Sequence, residues 1–196
     1  MKKKIIILMF FTLICLTGCK NSKNEKLSEN VQKMELTGNL VTYEAFYHNV
    51  LEYDKPAEVG ITHLFEKSRT LFAEYTGIIK IGIDLSKVKI TTSGNNINVY
   101  IPKAKVIGDA NVDKDDFKAE NFIESKDSSL NKNPLTVNDS IKAFDDAQKE
   151  MKKLTIENEE LLSAAQKRAK IILEENIKQL SGLSEKQYKI NWEYES

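Results

Sequence analysis

The chain has 196 residues, which is enough for one domain of ordinary size. Its 29 basic and 29 acidic residues balance and no long basic run occurs, so the sequence argues against a nucleic acid as partner. The 41% apolar content supports one packed core, and the 30% charged content predicts a well-solvated surface.

The first 18 residues have the pattern of a bacterial lipoprotein signal peptide. Three lysines at positions 2–4 precede a predominantly apolar run over residues 5–16, and the small pair Thr17-Gly18 leads to Cys19. A membrane-spanning helix is the alternative, but it needs about 20 apolar residues, more than this run provides. We therefore predict a signal peptide over residues 1–18 and cleavage before Cys19.

Cys19 is the predicted lipid-attachment site. Because Cys15 lies in the segment that cleavage removes, Cys19 becomes the only cysteine of the mature chain, and no internal disulfide can form. Its lipid would hold the protein on the extracytoplasmic face of a bacterial cell membrane. Residues 19–36 are polar and lack periodicity, which predicts a flexible tether, and residues 37–196 are predicted to form a single domain.

Alternating apolar residues predict strands in the first half of this domain. Residues 41–53 and 71–85 have the period of half-buried strands, and residues 61–69 between them suit either a short helix or a loop. The apolar phase shifts at Ser86-Lys87, which predicts a turn or bulge there. Residues 87–101 are predicted to form a hairpin around a Ser-Gly-Asn-Asn turn.

Residues 108–133 are polar and weakly patterned, which predicts a long surface loop. Within it, oxygen-bearing residues have the spacing of a calcium-binding loop: Asp109, Asn111, Asp113, Asp115 and Glu120. Lys114 stands where such a loop requires glycine, however, and no convincing helix precedes it. The sequence therefore favours a solvated loop over a calcium site.

The largest predicted element is a helix over residues 137–181. It begins at a variant capping box formed by Thr136 and Asp139 and is expected to stop at Gly182. A straight helix of this length would measure roughly 65 Å, which exceeds the diameter of a domain of this size. We therefore expect it either to project beyond the sheet or to break, most plausibly at residues 155–158, where helix propensity is lowest.

The last predicted element is a C-terminal strand over residues 188–194, in which Trp192, the only tryptophan, is expected to be buried. The alanine pairs 143/147 and 165/169 permit close approach to the helix, and we favour packing on the chain's own sheet over docking of another helix. The predicted fold class is α+β: a mainly antiparallel sheet with a long C-terminal helix and a final C-terminal strand.

The sequence contains no catalytic or cofactor-binding motif. Its histidines are limited to His48 and His63, and neither a Gly-x-Ser-x-Gly elbow nor a glycine-rich phosphate loop occurs. A glutamate cluster suits the solvated face of a helix better than a catalytic carboxylate pair: Glu157, Glu159 and Glu160. We therefore expect a protein that is not an enzyme and holds no cofactor.

Three segments point to a family: GIDLSKV at residues 82–88, VYIPKA at 99–104, and LSGL at 180–183 after the alanine-punctuated helix. Together they resemble a bacterial domain-of-unknown-function family, DUF4230, over about residues 35–195. The resemblance implies an α+β fold in a secreted or anchored protein and carries no activity. Asp84 and Pro102 match the pattern without a catalytic role, and Asp84 is expected to cap the turn after it.

The expected function is that of a membrane-anchored lipoprotein that acts as a protein- or envelope-interaction module. Its partners would be the membrane, through the lipid at Cys19, and an envelope protein that contacts the projecting helix or the loop over residues 108–133. The alternative is a lipoprotein that binds a small ligand or a metal ion, with the segment from Asp109 to Glu120 as its best candidate site.

Overall fold

A computed structural model of the chain describes residues 36–124, 131–181 and 188–195. The predicted signal peptide, Cys19, the tether up to residue 35 and Gly182 lie outside the described residues. The fold is α+β, as predicted. Its strands and α-helices are β1 Asn39–Lys55, β2 Arg69–Asp84, β3 Lys89–Ser93, β4 Asn96–Ile101, β5 Lys105–Val106, β6 Asn111–Val112, β7 Phe122–Glu124, α1 Val137–Glu157, α2 Glu159–Ser181 and β8 Lys189–Tyr194.

A long antiparallel hairpin of β1 and β2 is the framework of the molecule. Its register runs from Asn39 opposite Asp84 to Lys55 opposite Arg69, a ladder of about 50 Å. A bulge lies at Thr42, whose hydroxyl donates a 3.0 Å hydrogen bond to the Ala165 carbonyl of α2. The short strands β5, β6 and β7 pair with the other edge of β2, so β1 is an edge strand of this sheet.

A second, three-stranded sheet has the order β3-β4-β8. The predicted hairpin forms β3 and β4, and β8 adds parallel to β4. The chain leaves the first sheet because β2 ends in a short 3₁₀ helix, Leu85–Lys87, where the Asp84 carboxylate accepts a 3.1 Å hydrogen bond from the Ser86 amide. This confirms Asp84 as the cap of the turn. The predicted strands are therefore divided between two sheets, because this turn redirects the chain.

The predicted helix breaks at Asn158, inside the expected interval. The Asn158 amide donates a hydrogen bond to the Thr155 carbonyl at the end of α1. The Asn158 side-chain oxygen accepts a 3.0 Å hydrogen bond from the Leu161 amide in the first turn of α2. Two shorter helices can each follow one half of the twisted hairpin, which one straight helix cannot. Within the described residues, neither helix combines the length and the apolar content that a membrane crossing requires.

Each helix covers one of two apolar cores along the hairpin. Ala143, Ala147 and Met151 of α1 are fully buried in the first core, and Ala165 and Ala169 of α2 are fully buried in the second. The alanine pairs therefore serve packing on the chain's own sheets, as favoured from the sequence. The small side chains let the helix backbone approach β1 and β2 closely.

Two expectations need correction. Residues 108–124 are not a featureless surface loop: they contain β6, β7 and two 3₁₀ helices, and Val112 and Phe117 are buried in the first core. Trp192 is only partly buried, because β8 is an edge strand with one unpaired side. The Lys170 ammonium group lies over the indole at 5.4 Å from the ring centroid.

Candidate functional site

The most exposed apolar surface lies at the end of the β1–β2 hairpin. The loop over residues 56–68 connects the two strands and contains one short 3₁₀ helix, Ile61–His63. Its four large apolar side chains are exposed to between 66% and 101%: Val59, Ile61, Leu64 and Phe65. We call these four residues the apolar tip. Several large apolar side chains exposed on one loop are typical of interaction sites in soluble proteins.

The ionisable groups of the same loop are folded back on one another. His63 Nδ1 lies 2.7 Å from the Glu66 carboxylate, which is only 11% exposed, and His63 Nε2 lies 3.4 Å from Glu58. The hydrogen bond with Glu66 raises the pKa of His63, and the same bond lowers the pKa of Glu66. His63 therefore contacts both glutamates of the loop, Glu58 and Glu66, while the large apolar side chains face outward.

The segment over residues 131–136 holds the loop in place through side-chain hydrogen bonds to its main chain. The Asn131 side chain accepts from the Lys67 amide at 2.9 Å and donates to the Lys67 carbonyl at 3.1 Å. Asn133 is buried and donates to the carbonyls of Pro56 and Lys67. These bonds satisfy main-chain groups at both ends of the loop, so the apolar tip is presented by a braced loop.

A buried charge cluster lies where this segment enters α1. Lys55 Nζ is 2.6 Å from the Asp139 carboxylate and 2.7 Å from the Pro134 carbonyl, and Tyr53 and Thr136 also donate to Asp139. Burial opposes ionisation of Asp139, but these hydrogen bonds outweigh it and hold its pKa well below the usual range. The capping box is confirmed, and its carboxylate also locks α1 to the end of β1.

Burial, the hydrogen bond to Asp139 and the charge of Asp139 together raise the pKa of Tyr53 to about 12. The shifts therefore keep Asp139 ionised and Tyr53 neutral at neutral pH. A carboxylate and a tyrosine whose pKa values both move away from neutrality suit a structural role better than proton transfer, which needs a pKa near the working pH.

Two cavities lie among the described residues, and neither contains a recognisable arrangement of catalytic residues. One, of about 690 Å³, lies between β1, β2 and β6 and is lined by Phe46, Tyr47, Thr76, Gly77, Ile78, Asn111, Val112, Asp113 and Lys114. The other, of about 400 Å³, lies between Lys103 and the start of α2. Neither is lined by a histidine or a cysteine.

The carboxylates of the candidate calcium loop are directed to separate partners. Asp113 accepts from the Asp115 amide at 2.9 Å, and Asp115 forms an ion pair with Lys118 at 3.1 Å. Asp116 accepts from both the amide and the hydroxyl of Thr76. Within the described parts of the chain, no three His, Cys, Asp or Glu side chains converge on a metal-sized site.

Calcium is therefore expected to leave the thermal unfolding of the protein unchanged. A site occupied at about 100 times its dissociation constant would stabilise the fold by about 2.7 kcal/mol, which raises the midpoint by several degrees. Scanning fluorimetry with calcium and with a chelator measures this directly. A rise of several degrees in calcium alone would contradict the assignment of these carboxylates to caps and ion pairs.

The remaining candidate residues are dispersed. His48 contacts Glu74 on the exposed face of the hairpin, within the β1–β2 ladder, whereas His63 lies in the loop beyond its end. The glutamates at positions 157, 159 and 160 are all exposed at the break between α1 and α2, in agreement with a solvated face.

The sequence pattern did not single out the apolar tip as a site. Its four large apolar residues lie within seven positions, and Ile61, Leu64 and Phe65 have the i, i+3, i+4 spacing of a helix. That spacing predicts a short helix, and it gives no indication of whether such residues are buried or exposed.

Comparisons with known proteins identify the family and no individual relative. No curated protein and no solved structure matches the chain. The profile of the family described as "Protein of unknown function (DUF4230)" matches residues 32–188, which is most of the chain. The chain therefore belongs to the DUF4230 family, as its glycine-isoleucine-aspartate-leucine strand and proline-terminated hairpin suggested.

Proposed function

We propose that the protein is a lipid-anchored extracytoplasmic lipoprotein that acts as a non-enzymatic interaction module, with the apolar tip as its contact surface. The observation that carries this proposal is the exposure of four large apolar side chains on one braced loop. The lipoprotein pattern at Cys19 supplies the anchor, and its lipid would hold the domain at an envelope surface.

Burial of the apolar tip against a partner would release enough free energy to stabilise a contact. Single exposed apolar residues are common on protein surfaces, but four on one loop are not. Burying each of them against a partner would contribute about 1.5–3 kcal/mol. Val137 and Ile141 are also exposed, on the start of α1, which the Lys55–Asp139 contact holds at this end of the hairpin.

Replacing Cys19 with alanine is expected to abolish lipid labelling and to release the protein from the membrane fraction. The sulfur of Cys19 is the predicted acceptor, so its loss removes the anchor while leaving the domain intact. Growth of cells with a fatty-acid probe, followed by fractionation, measures both effects. Cys15→Ala is the matched control and should label like the wild type, and equal labelling of the Cys19→Ala protein would exclude the anchor.

The contact role is tested by photo-crosslinking in intact cells. A photoreactive residue at Leu64 is expected to give crosslinked products, because this side chain is 73% exposed within the apolar tip. The matched control is the same residue at Ile171, which is 54% exposed on α2, outside the proposed contact surface. Products of equal yield at both positions, or at neither, would refute the contact surface.

A further inference from the structure

We propose that the partner of the apolar tip is a lipid bilayer, namely the membrane that holds the lipid of Cys19. This inference rests on the proposed function and identifies the partner that the apolar tip contacts. The tip residues would enter the interface between head groups and acyl chains, as amphipathic peripheral segments do. Anchor and tip together would give the domain two attachment points on one membrane.

The polar groups of the loop favour a bilayer over a protein. A bilayer offers no hydrogen-bond partners below the head groups, so a loop that enters it must satisfy its own backbone. The His63 amide bonds to the Gly60 carbonyl and the Glu66 amide to the His63 carbonyl, both at 3.0 Å. The Phe65 carbonyl accepts from Lys132. These hydrogen bonds satisfy main-chain groups of the loop, either within the loop or with the segment over residues 131–136.

The charges around the apolar tip have the arrangement of an interfacial segment. The Glu66 carboxylate is only 11% exposed and contacts His63, and the exposed Glu58 lies 3.4 Å from the other ring nitrogen of His63. Lys67 and Lys132 are exposed in the same region and have no ion pair with these carboxylates among the described contacts. The Lys132 ammonium group lies 5.2 Å from the centroid of the Phe65 ring, so cation and apolar surface adjoin. Lysines in this position can extend to lipid phosphates while the apolar side chains enter the interface.

The length of chain before the described domain permits contact with the anchoring membrane. Cys19 and Leu36 are 17 positions apart, which spans at most about 60 Å when fully extended. The β1–β2 ladder, from Asn39 to Lys55 at the base of the tip loop, measures about 50 Å, which is shorter than the extended tether. The tip can therefore return to the bilayer that holds the lipid. Because the anchor raises the local concentration of that surface, a weak contact at the tip is sufficient for occupancy.

The test uses the full lipidated protein in vesicles of phosphatidylethanolamine and phosphatidylglycerol. The sulfur of Cys19 carries the lipid, so a single new cysteine can be labelled with a polarity-sensitive fluorophore. Leu64→Cys reports from the apolar tip, and Ile171→Cys is the matched control. We expect doxyl-labelled lipids to quench the probe at position 64 about twofold or more, as insertion to the acyl-chain boundary requires, and to leave position 171 unquenched.

A second variant separates insertion from mere proximity. Ile61→Asp in the Leu64→Cys background places a charge in the apolar tip at a side chain that is 90% exposed, so the fold should keep its thermal midpoint while quenching falls. An unquenched probe at position 64, or equal quenching at positions 64 and 171, would overturn the membrane as partner. If crosslinking at Leu64 in cells then yields a protein, the proposed function stands with another partner; if it yields nothing, both fail.

Discussion

Replacing Asp139 with asparagine is expected to lower the free energy of unfolding by about 3–5 kcal/mol, because it removes the carboxylate that pairs with the buried Lys55 side chain. The side chains of Lys55 and Asp139 are only 6% and 9% exposed. Asparagine preserves the shape of aspartate but removes the charge that compensates for the buried ammonium group. Denaturant unfolding at neutral pH measures the loss.

The control for this prediction is Asp146→Asn on the same helix. Asp146 pairs with Lys149, but the two side chains are 51% and 75% exposed, so the loss should not exceed about 0.5 kcal/mol. The further replacement of Lys55 with methionine in the Asp139→Asn background is expected to recover part of this loss, because it removes the buried ammonium group while the asparagine amide oxygen can still accept from Thr136. A loss below about 1 kcal/mol for Asp139→Asn would show that water reaches the pair.

The same ion pair gives the stability a defined pH dependence. The folded-state pKa of Asp139 lies below its ordinary value of 3.8, so its contribution to stability is fully present above that value. The contribution is lost as the pH falls through the folded-state pKa. The stability difference between wild type and Asp139→Asn should therefore be constant at neutral pH and shrink in acid.

Replacing Gly82 with alanine is expected to destabilise the protein by about 3 kcal/mol or more. A Cβ atom at Gly82 would lie 1.9 Å from the carbonyl oxygen of Leu40 and 2.9 Å from the Cα of Val41. Both contacts are with the backbone of β1 next to the bulge, so no side chain can rotate to make room. This close approach explains the glycine of the glycine-isoleucine-aspartate-leucine motif.

Gly94→Ala is the matched control for Gly82→Ala. Gly94 lies in the turn between β3 and β4 with φ of 59°, and an added Cβ would meet no atom within 4 Å. Only the left-handed backbone is penalised there, which costs about 1–2 kcal/mol. Thermal or denaturant unfolding of the two variants compares them, and equal losses would contradict the steric argument at Gly82.

The sequence predicted the elements whose residues repeat with a clear period. Alternation in residues 79–85 and 97–101 identified the C-terminal part of β2 and most of β4, and the capping box at Thr136 identified the start of α1. The break at Asn158 was also predictable, because helix propensity and length pointed to the same interval.

The elements that escaped prediction lack a period of their own. β6 and β7 have only two and three residues, too few for alternation to show, and they exist because β2 offers them an edge. The buried ion pair joins Lys55 to Asp139, which lies 84 positions away, so no local sequence pattern indicates it. The exposure of the apolar tip follows from tertiary structure alone, since an apolar residue looks the same in sequence whether it is buried or exposed.

The most direct test of the proposed contact surface is the reactivity of two introduced cysteines in intact cells. In purified, detergent-solubilised protein, Leu64→Cys and Ile171→Cys should react with a small maleimide at similar rates, because both side chains are exposed. In cells, occupation of the apolar tip should slow the reaction at position 64 severalfold and leave position 171 unchanged. Equal reactivity at both positions in cells would contradict the assignment of the tip as the contact surface.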